Sequence, residues 1–319
     1  HTNSSATTSG LRTIDSSRWR TDVLDAFGIP ASRLPSVVDS AGVVGAASAL
    51  PGAPPIAALV GDQQASLIGQ GCIRPGRAKI TFGTGGMLDA CTGSGAPDAA
   101  SRHENGTYPL PVWSINGELG WGVEGIMLSA GTNVEWLCDD LGLIDSPAES
   151  HDVAARCSDA GGVVYVPALL GLGTPTWDYG ARGTLLGLTR GTERMHVVRA
   201  VLEGIAHRGA DLVDAAVADT GARIDSIRVD GGMSRNPTFI QALADATGRT
   251  IAVAPVVEST TIGAAFLAGL GIGTWNELDD IDSLWSPAHV VEPQPGVDRA
   301  AARLTWSDAL ARAGGWFPD

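Results

Sequence analysis

Basic residues are scarce in this sequence, and lysine is almost absent. Among 319 residues there are 21 Lys or Arg against 35 Asp or Glu, a formal charge of −14. Lys79 is the one lysine; every other base is an arginine. Such an acidic chain disfavours general nucleic-acid binding, which needs a basic surface to neutralise phosphates. It leaves a nucleotide site open, because a few backbone N–H groups suffice to hold phosphate on an acidic protein. Cysteine is scarce too. Cys72, Cys91, Cys138 and Cys157 form no CxxC pair, and none has a histidine at metal-ligand spacing. They read as reduced thiols of a cytoplasmic protein, not as a disulfide framework or a zinc site.

Several motifs are missing as well. Lys79 follows no glycine loop that would make a Walker A sequence, and no GxSxG elbow occurs. "GTGGML" fails the GxGxxG pattern because Leu88 stands at the last glycine. The six histidines are scattered, and His196 and His207, although on one predicted helix, lack the spacing of a metal pair. The polar start, "HTNSSATTSG", is no signal peptide. Ala41 to Val60 is a run of 20 uncharged residues, long enough for a membrane span. Pro51, Pro54 and Pro55 split it into a segment, a loop and a strand, so no membrane partner is expected. The first residue is not methionine, and the chain is expected to be part of something longer.

Hydrophobic residues make up 44%, enough for a sizeable core and against disorder. Periodicity predicts helices over 19–28, 63–70, 130–142, 193–219, 237–247, 260–272 and 298–313. Strands are expected at 56–60 (a buried one), 78–82, 87–91, 163–166, 224–229 and in "TIAVAP". In the longest helix Val197, Val201, Ile205, Leu212 and Ala216 share one side. Strands alternating with helices mean a mixed α/β fold.

Three places invite chemistry. Asp62, in "IAALVGDQQASLIGQG", follows an apolar strand and opens a helix, where α/β proteins present ligand-binding groups and where a helix start favours a carboxylate. It is equally a residue type that simply caps helices. "TFGTGG", residues 81–86, is a glycine turn between two strands, able to close backbone N–H groups and the Thr84 hydroxyl on a phosphate, or to serve as an ordinary hairpin turn. "VDGGMSRN", residues 229–236, carries a strand into a helix at Pro237 and allows close backbone approach to a ligand; Asn236 otherwise caps that helix. Together, three glycine-marked strand ends with polar tips suit a nucleotide held in a cleft.

The order and wording of these motifs resemble the FGGY carbohydrate kinases, the glycerol kinases most of all. "GDQQASLIGQ" resembles the family's catalytic segment, and its Gln-Gln is the glycerol kinase form. "TFGTGG" resembles the phosphate-binding hairpin, "EGIMLSAGTNVEWL" the helix lining the nucleotide pocket, and "RVDGGMSRN" the adenosine motif. "YVPALLGLGTPTWDYGARGTLLGLTRGT" is similar to the family's long loop, and Gly183 to Glu203 fits the spacing of its second signature.

The resemblance implies an actin/hexokinase-like (ribonuclease H-like) ATPase fold, present mainly as its C-terminal lobe. Residues 1–71 would end an incomplete N-terminal lobe, and 72–319 would form the C-terminal lobe with the nucleotide site. It implies ATP-dependent phosphorylation of a small polyol or sugar hydroxyl, glycerol first, with ATP and Mg²⁺, in the cytoplasm, and with room for a homo-oligomer. No metal-ligating side chain is expected from this chain. Asp62 would be the general base, and Gln63 would hold a substrate hydroxyl. Thr84 and Gly85 would contact the transferred phosphate, Gly131 and Glu135 would lie by the nucleotide, and Gly232 and Asn236 would hold its adenosine end. Two positions depart from the pattern. Met87 stands where glycerol kinases place an aromatic against the substrate, which implies a pocket of different shape. Glu135 replaces a usual glutamine. A non-catalytic nucleotide-binding or interaction module that retains the second lobe only is the alternative, as is a kinase of this family for a different polyol or sugar. The Gln63–Gln64 pair and the Gly183–Glu203 signature speak against other actin-like ATPases.

Overall fold

In the computed structural model, which describes residues 1–15, 18–96, 102–256 and 258–317, a seven-stranded sheet carries helices on both faces. The chain order is α1 (Asn3–Thr8), α2 (Thr21–Ala26), β1 (Ala41–Ala46), β2 (Pro55–Ala58), α3 (Asp62–Gly69), β3 (Ala78–Phe82) and β4 (Gly86–Gly93). Then come β5 (Tyr108–Ile115), β6 (Glu118–Met127), α4 (Gly131–Asp139), α5 (Glu149–Ala154), β7 (Val164–Val166), β8 (Thr184–Leu186) and α6 (Arg194–Thr220). The rest is β9 (Ser226–Asp230), α7 (Pro237–Thr247), β10 (Thr250–Val253), α8 (Ser259–Gly271), α9 (Leu278–Asp282), β11 (His289–Val291) and α10 (Arg299–Ala313). The sheet runs β11-β10-β9-β3-β4-β6-β5. β3 pairs in parallel with β9, and β9 with β10; the other pairs are antiparallel.

Strand alternation divides the sheet into two faces of different chemistry. Ala78, Ile80 and Phe82 of β3, Leu88 and Ala90 of β4 and Ile227 and Val229 of β9 join one core with α6 and α7. Phe82 meets Phe239 of α7 edge-on, ring centres 4.8 Å apart. The alternate face of the same strands carries Lys79, Thr81, Asp89, Arg228 and Asp230, with Met87 and Cys91 of β4 among them. That second face is covered by α3.

α3 is held there by a close crossing with α8. A Cβ on Gly263 would lie 1.8 Å from the Ala65 carbonyl oxygen, and one on Gly69 would lie 2.0 Å from that of Ser259. The two helices therefore touch backbone to backbone, which no larger residue allows. The tail helix α10 is anchored on α6 by buried Trp306 and by Arg303, which both bond Asp211.

The predicted helices and strands form close to their expected limits, with one correction. The strand expected as buried at 56–60 is β2, and Ile56 is 39% exposed. β2 pairs only with β1, in a separate two-stranded sheet against α8, so its outer side meets solvent. Asp62 thus follows a surface hairpin and stands at the start of a helix laid across the sheet. β5 and β6 escaped the reading of the sequence. β5 carries Pro109 and Pro111, which only an edge strand tolerates, and β5 is an edge. In β6 the strand pattern of the sequence is interrupted by Gly120, Gly122 and Gly125, yet the strand is continuous; at Gly120 a Cβ would fall 2.1 Å from the Trp113 ring.

Candidate active site

The start of α3 brings Asp62 and Gln63 over the polar face of β3 and β4. Gly61, in extended conformation, is the capping residue, so Asp62 is the first residue of the helix. Its carboxylate accepts the Gln63 N–H at 2.8 Å, and the residue is exposed. Gln63 is half-buried, and its Oε1 accepts from Lys79 Nζ at 2.9 Å. Ser66, one turn further, reaches both Thr81 and Asp230 at 3.4 Å.

Below them lies a row of charges set by strand register. Arg228, Lys79, Asp89 and Glu124 are directly opposed on β9, β3, β4 and β6. Directly opposed residues project to the same face. Lys79 and Asp89 are fully buried and 2.7 Å apart. Burial pushes the Asp89 carboxyl up, against the pull of Lys79. Burial also pushes Glu124 up to about 8, with Asp89 adding to the effect. Arg228 lies over the Trp285 ring at 3.6 Å. Two residue pairs toward the hairpin, Met87 opposes Thr81 and Ile126, so half-buried Met87 shares this polar face.

β3 then runs into the hairpin tip, which walls a second space. A cavity of about 530 Å³ is lined by Phe82, Gly83 and Thr84, by Gly131, Val134 and Glu135, by Ser150 and His151, and by Gly232 to Pro237 apart from Ser234. This size suits a nucleotide-sized ligand, and the walls are apolar with few polar groups, as ligand sites are. The tip is clasped to α4: the Gly83 and Thr84 carbonyls accept the amides of Gly131 and Ala130 at 2.9 and 2.8 Å. A Cβ on Gly131 would sit 2.6 Å from the Gly83 oxygen, so the clasp needs glycine there. No hydrogen bond among the described residues uses the amides of Thr84 or Gly85. They are donors of the kind that bind phosphate.

Of the residues singled out in the sequence, Thr84, Gly131, Glu135, Gly232 and Asn236 line this cavity, while Gly85 sits in the turn beside it. Asp62, Gln63 and Met87 gather on the polar sheet face. Asn236 also caps α7, its Oδ1 accepting from Phe239 N–H at 3.0 Å, and its Nδ2 donates to Ser150 at 2.9 Å. Ser150, His151 and Arg235 were missed. Arg235 lay inside a quoted motif, but nothing local marks Ser150 or His151, which reach the cavity only because α5 packs on α7. Lys79 was read only as an absent Walker lysine. All four cysteines are unpaired. Among the described residues no three His, Cys, Asp or Glu side chains converge as a metal site, and no helix is long and apolar enough to cross a membrane.

Comparison with known proteins points one way. Residues 78–272 match the model of the FGGY family of carbohydrate kinases, C-terminal domain. A glycerol kinase of Agathobacter rectalis is 39% identical over 319 residues, covering 99% of this chain and 63% of that protein. Glycerol kinase 2 of Thermotoga maritima is 40% identical over 301 residues, covering 93% and 60%. This chain thus spans about three-fifths of the curated relatives it matches. The crystal structure of Plasmodium falciparum glycerol kinase with ADP superposes with a TM-score of 0.89 at 32% identity, over 98% of this chain and 63% of that one. A ligand-bound xylulose kinase from Lactobacillus acidophilus, 22% identical over 98% of this chain and 65% of that one, shares the fold with a TM-score of 0.84.

Proposed function

This chain belongs to the FGGY family of carbohydrate kinases, with the mixed α/β fold of that family's C-terminal lobe, and from that premise we propose that it takes part in ATP-dependent phosphorylation of a small polyol, glycerol first. On this reading residues 1–71 end the preceding lobe, and 72–319 carry the nucleotide. A cytoplasmic setting suits four free thiols. The observation that carries the reading is the layout of β3. Lys79 and Thr81 floor the Asp62–Gln63 pair, and the same strand ends in Gly83 and Thr84 on the cavity wall.

The nucleotide, when bound, supplies the phosphoryl group. The cavity and the idle amides of Thr84 and Gly85 fit it, with Gly131 and Glu135 on one wall and Gly232 and Asn236 on the other. Asp62 accepts the proton of the attacking hydroxyl, and Gln63 holds the substrate beside it. Phosphoryl transfer asks mainly for such positioning. Met87 gives that substrate a flexible apolar wall. A magnesium ion, which keeps several waters and binds through one or two carboxylates plus substrate phosphates, would supply charge neutralisation at the nucleotide's phosphates.

The test is Asp62→Asn in the full-length natural polypeptide. Glycerol-dependent ADP formation should fall by at least about 100-fold, while nucleotide affinity is kept. Retained turnover would remove Asp62 as the base. Nucleotide binding by the wild type without phosphorylation of any polyol would overturn the kinase reading itself.

A further inference from the structure

The one lysine of the chain is fully buried beneath the start of α3. Its ammonium donates to Gln63 Oε1 at 2.9 Å and to Thr81 Oγ1 at 3.0 Å. A third contact, 2.7 Å from Asp89, pairs the ammonium with a carboxylate as fully buried as itself. Its three donors thus meet a cross-strand carboxylate, a strand neighbour and Gln63. A chain that otherwise uses arginine keeps lysine at this point. A compact ammonium can aim separate donors at three partners in a closed space, whereas a flat guanidinium fork needs more room and a planar partner.

An ammonium has donors and no acceptor. Gln63 can therefore meet Lys79 only through Oε1, which turns its Nε2 amide away from the sheet. That amide has no partner among the described residues, and it is not enclosed. Next to it stands the exposed carboxylate of Asp62. We propose that Lys79 is a positioning residue that fixes the flip of the Gln63 carboxamide, so that the site offers a hydroxyl-bearing substrate one N–H donor beside one carboxylate acceptor. This deepens the polyol kinase reading and rests on it. Without Lys79 the carboxamide turns freely, and half of its orientations put an oxygen where the substrate needs a donor.

The experiment uses the full-length natural polypeptide with glycerol as probe and three variants. Lys79→Met strands the Asp89 charge and should lower Tm. Lys79→Met with Asp89→Leu removes both charges and should restore Tm, because a buried pair replaced by apolar groups is often neutral. In that double variant the KM for glycerol should stay raised about 10-fold or more, with the KM for ATP unchanged, as expected for loss of one substrate hydrogen bond. Recovery of the glycerol KM together with Tm overturns the proposal, since a merely structural pair would recover both. Gln63→Glu leaves Lys79 its acceptor but removes the outward donor. It should keep Tm and raise the glycerol KM by a similar factor, and an unchanged KM overturns the proposal even if the double variant does not fold. If the wild type phosphorylates no polyol, the functional reading falls separately. Crystal structures then decide the positioning role: a Gln63 side chain ordered in the wild type and disordered in the double variant supports it, and one ordered in both overturns it.

Discussion

Raising the pH from about 5 to about 8.5 should destabilise this protein, and Gln in place of Glu124 should remove much of that loss. The Glu124 carboxyl, ordinarily at 4.5, is pushed up to about 8 by burial, by Asp89 and by Asp62, against Lys79. Between those values the folded protein holds a proton that the unfolded chain has released. The unfolding free energy therefore decreases with pH. The contribution is whole below about 4.5 and gone above about 8. A gap of about 3.5 units at ~1.4 kcal/mol each sets a ceiling near ~5 kcal/mol. Glu124 is only half-buried and lines an open groove of about 790 Å³ with Arg12, Arg20 and Trp177. Water in that groove screens the carboxylate, which brings the expected effect to about 2–3 kcal/mol. Glu124→Gln keeps the shape and the donor of the protonated acid but cannot ionise. Asp89 shifts in the same direction but is present in both proteins, so their difference isolates Glu124 and its coupling. Urea denaturation at a series of pH values should give equal stabilities near pH 5. Near pH 8.5 the variant should be the more stable by about 2–3 kcal/mol. A difference that stays constant over this range refutes the reasoning.

Gly263→Ala sets two effects against each other: helix propensity favours alanine by ~1 kcal/mol, but its Cβ would lie 1.8 Å from the Ala65 oxygen. Overpacking should win by about 1–3 kcal/mol and lower Tm; a raised Tm would show that α3 and α8 can part freely. Gly232→Leu adds a side chain where nothing lies within 4 Å, on the cavity wall. Tm should hold while nucleotide affinity, measured by calorimetry, drops at least about 10-fold through steric clash, and an unchanged Kd would place the nucleotide elsewhere. Asp219 is opposed by burial but held below its usual range by hydrogen bonds from Thr107 and Asn105. Its stabilisation is present above its ordinary value of 3.8 and lost as the pH falls through the lowered one. Asp219→Ala should cost about 1–3 kcal/mol at pH 7 and flatten the acid limb of the stability profile, and a variant with wild-type acid sensitivity would contradict this.

What the sequence determined by itself is local. The 3.6-residue period of α6, the proline at the start of α7 with Asn236 before it, and the alternation of "AKITF" are short-range patterns, and each formed where it was expected. The glycines of "TFGTGG" and "VDGGMSRN" were legible because tight turns select them whatever surrounds them. Tertiary structure alone decided what those pieces face. A buried lysine and a surface lysine look alike in sequence; only the register of β3 against β4 and β9 buries Lys79 beside Asp89 and under Gln63. Ser150 and His151 reach the nucleotide-sized cavity through helix packing with residues 86 and 87 positions further along the chain, which no local pattern encodes. Asp62 was legible as a polar residue at a helix start. Its place over the sheet was decided by the crossing of α3 with α8, where Gly69 and Gly263 let two backbones touch.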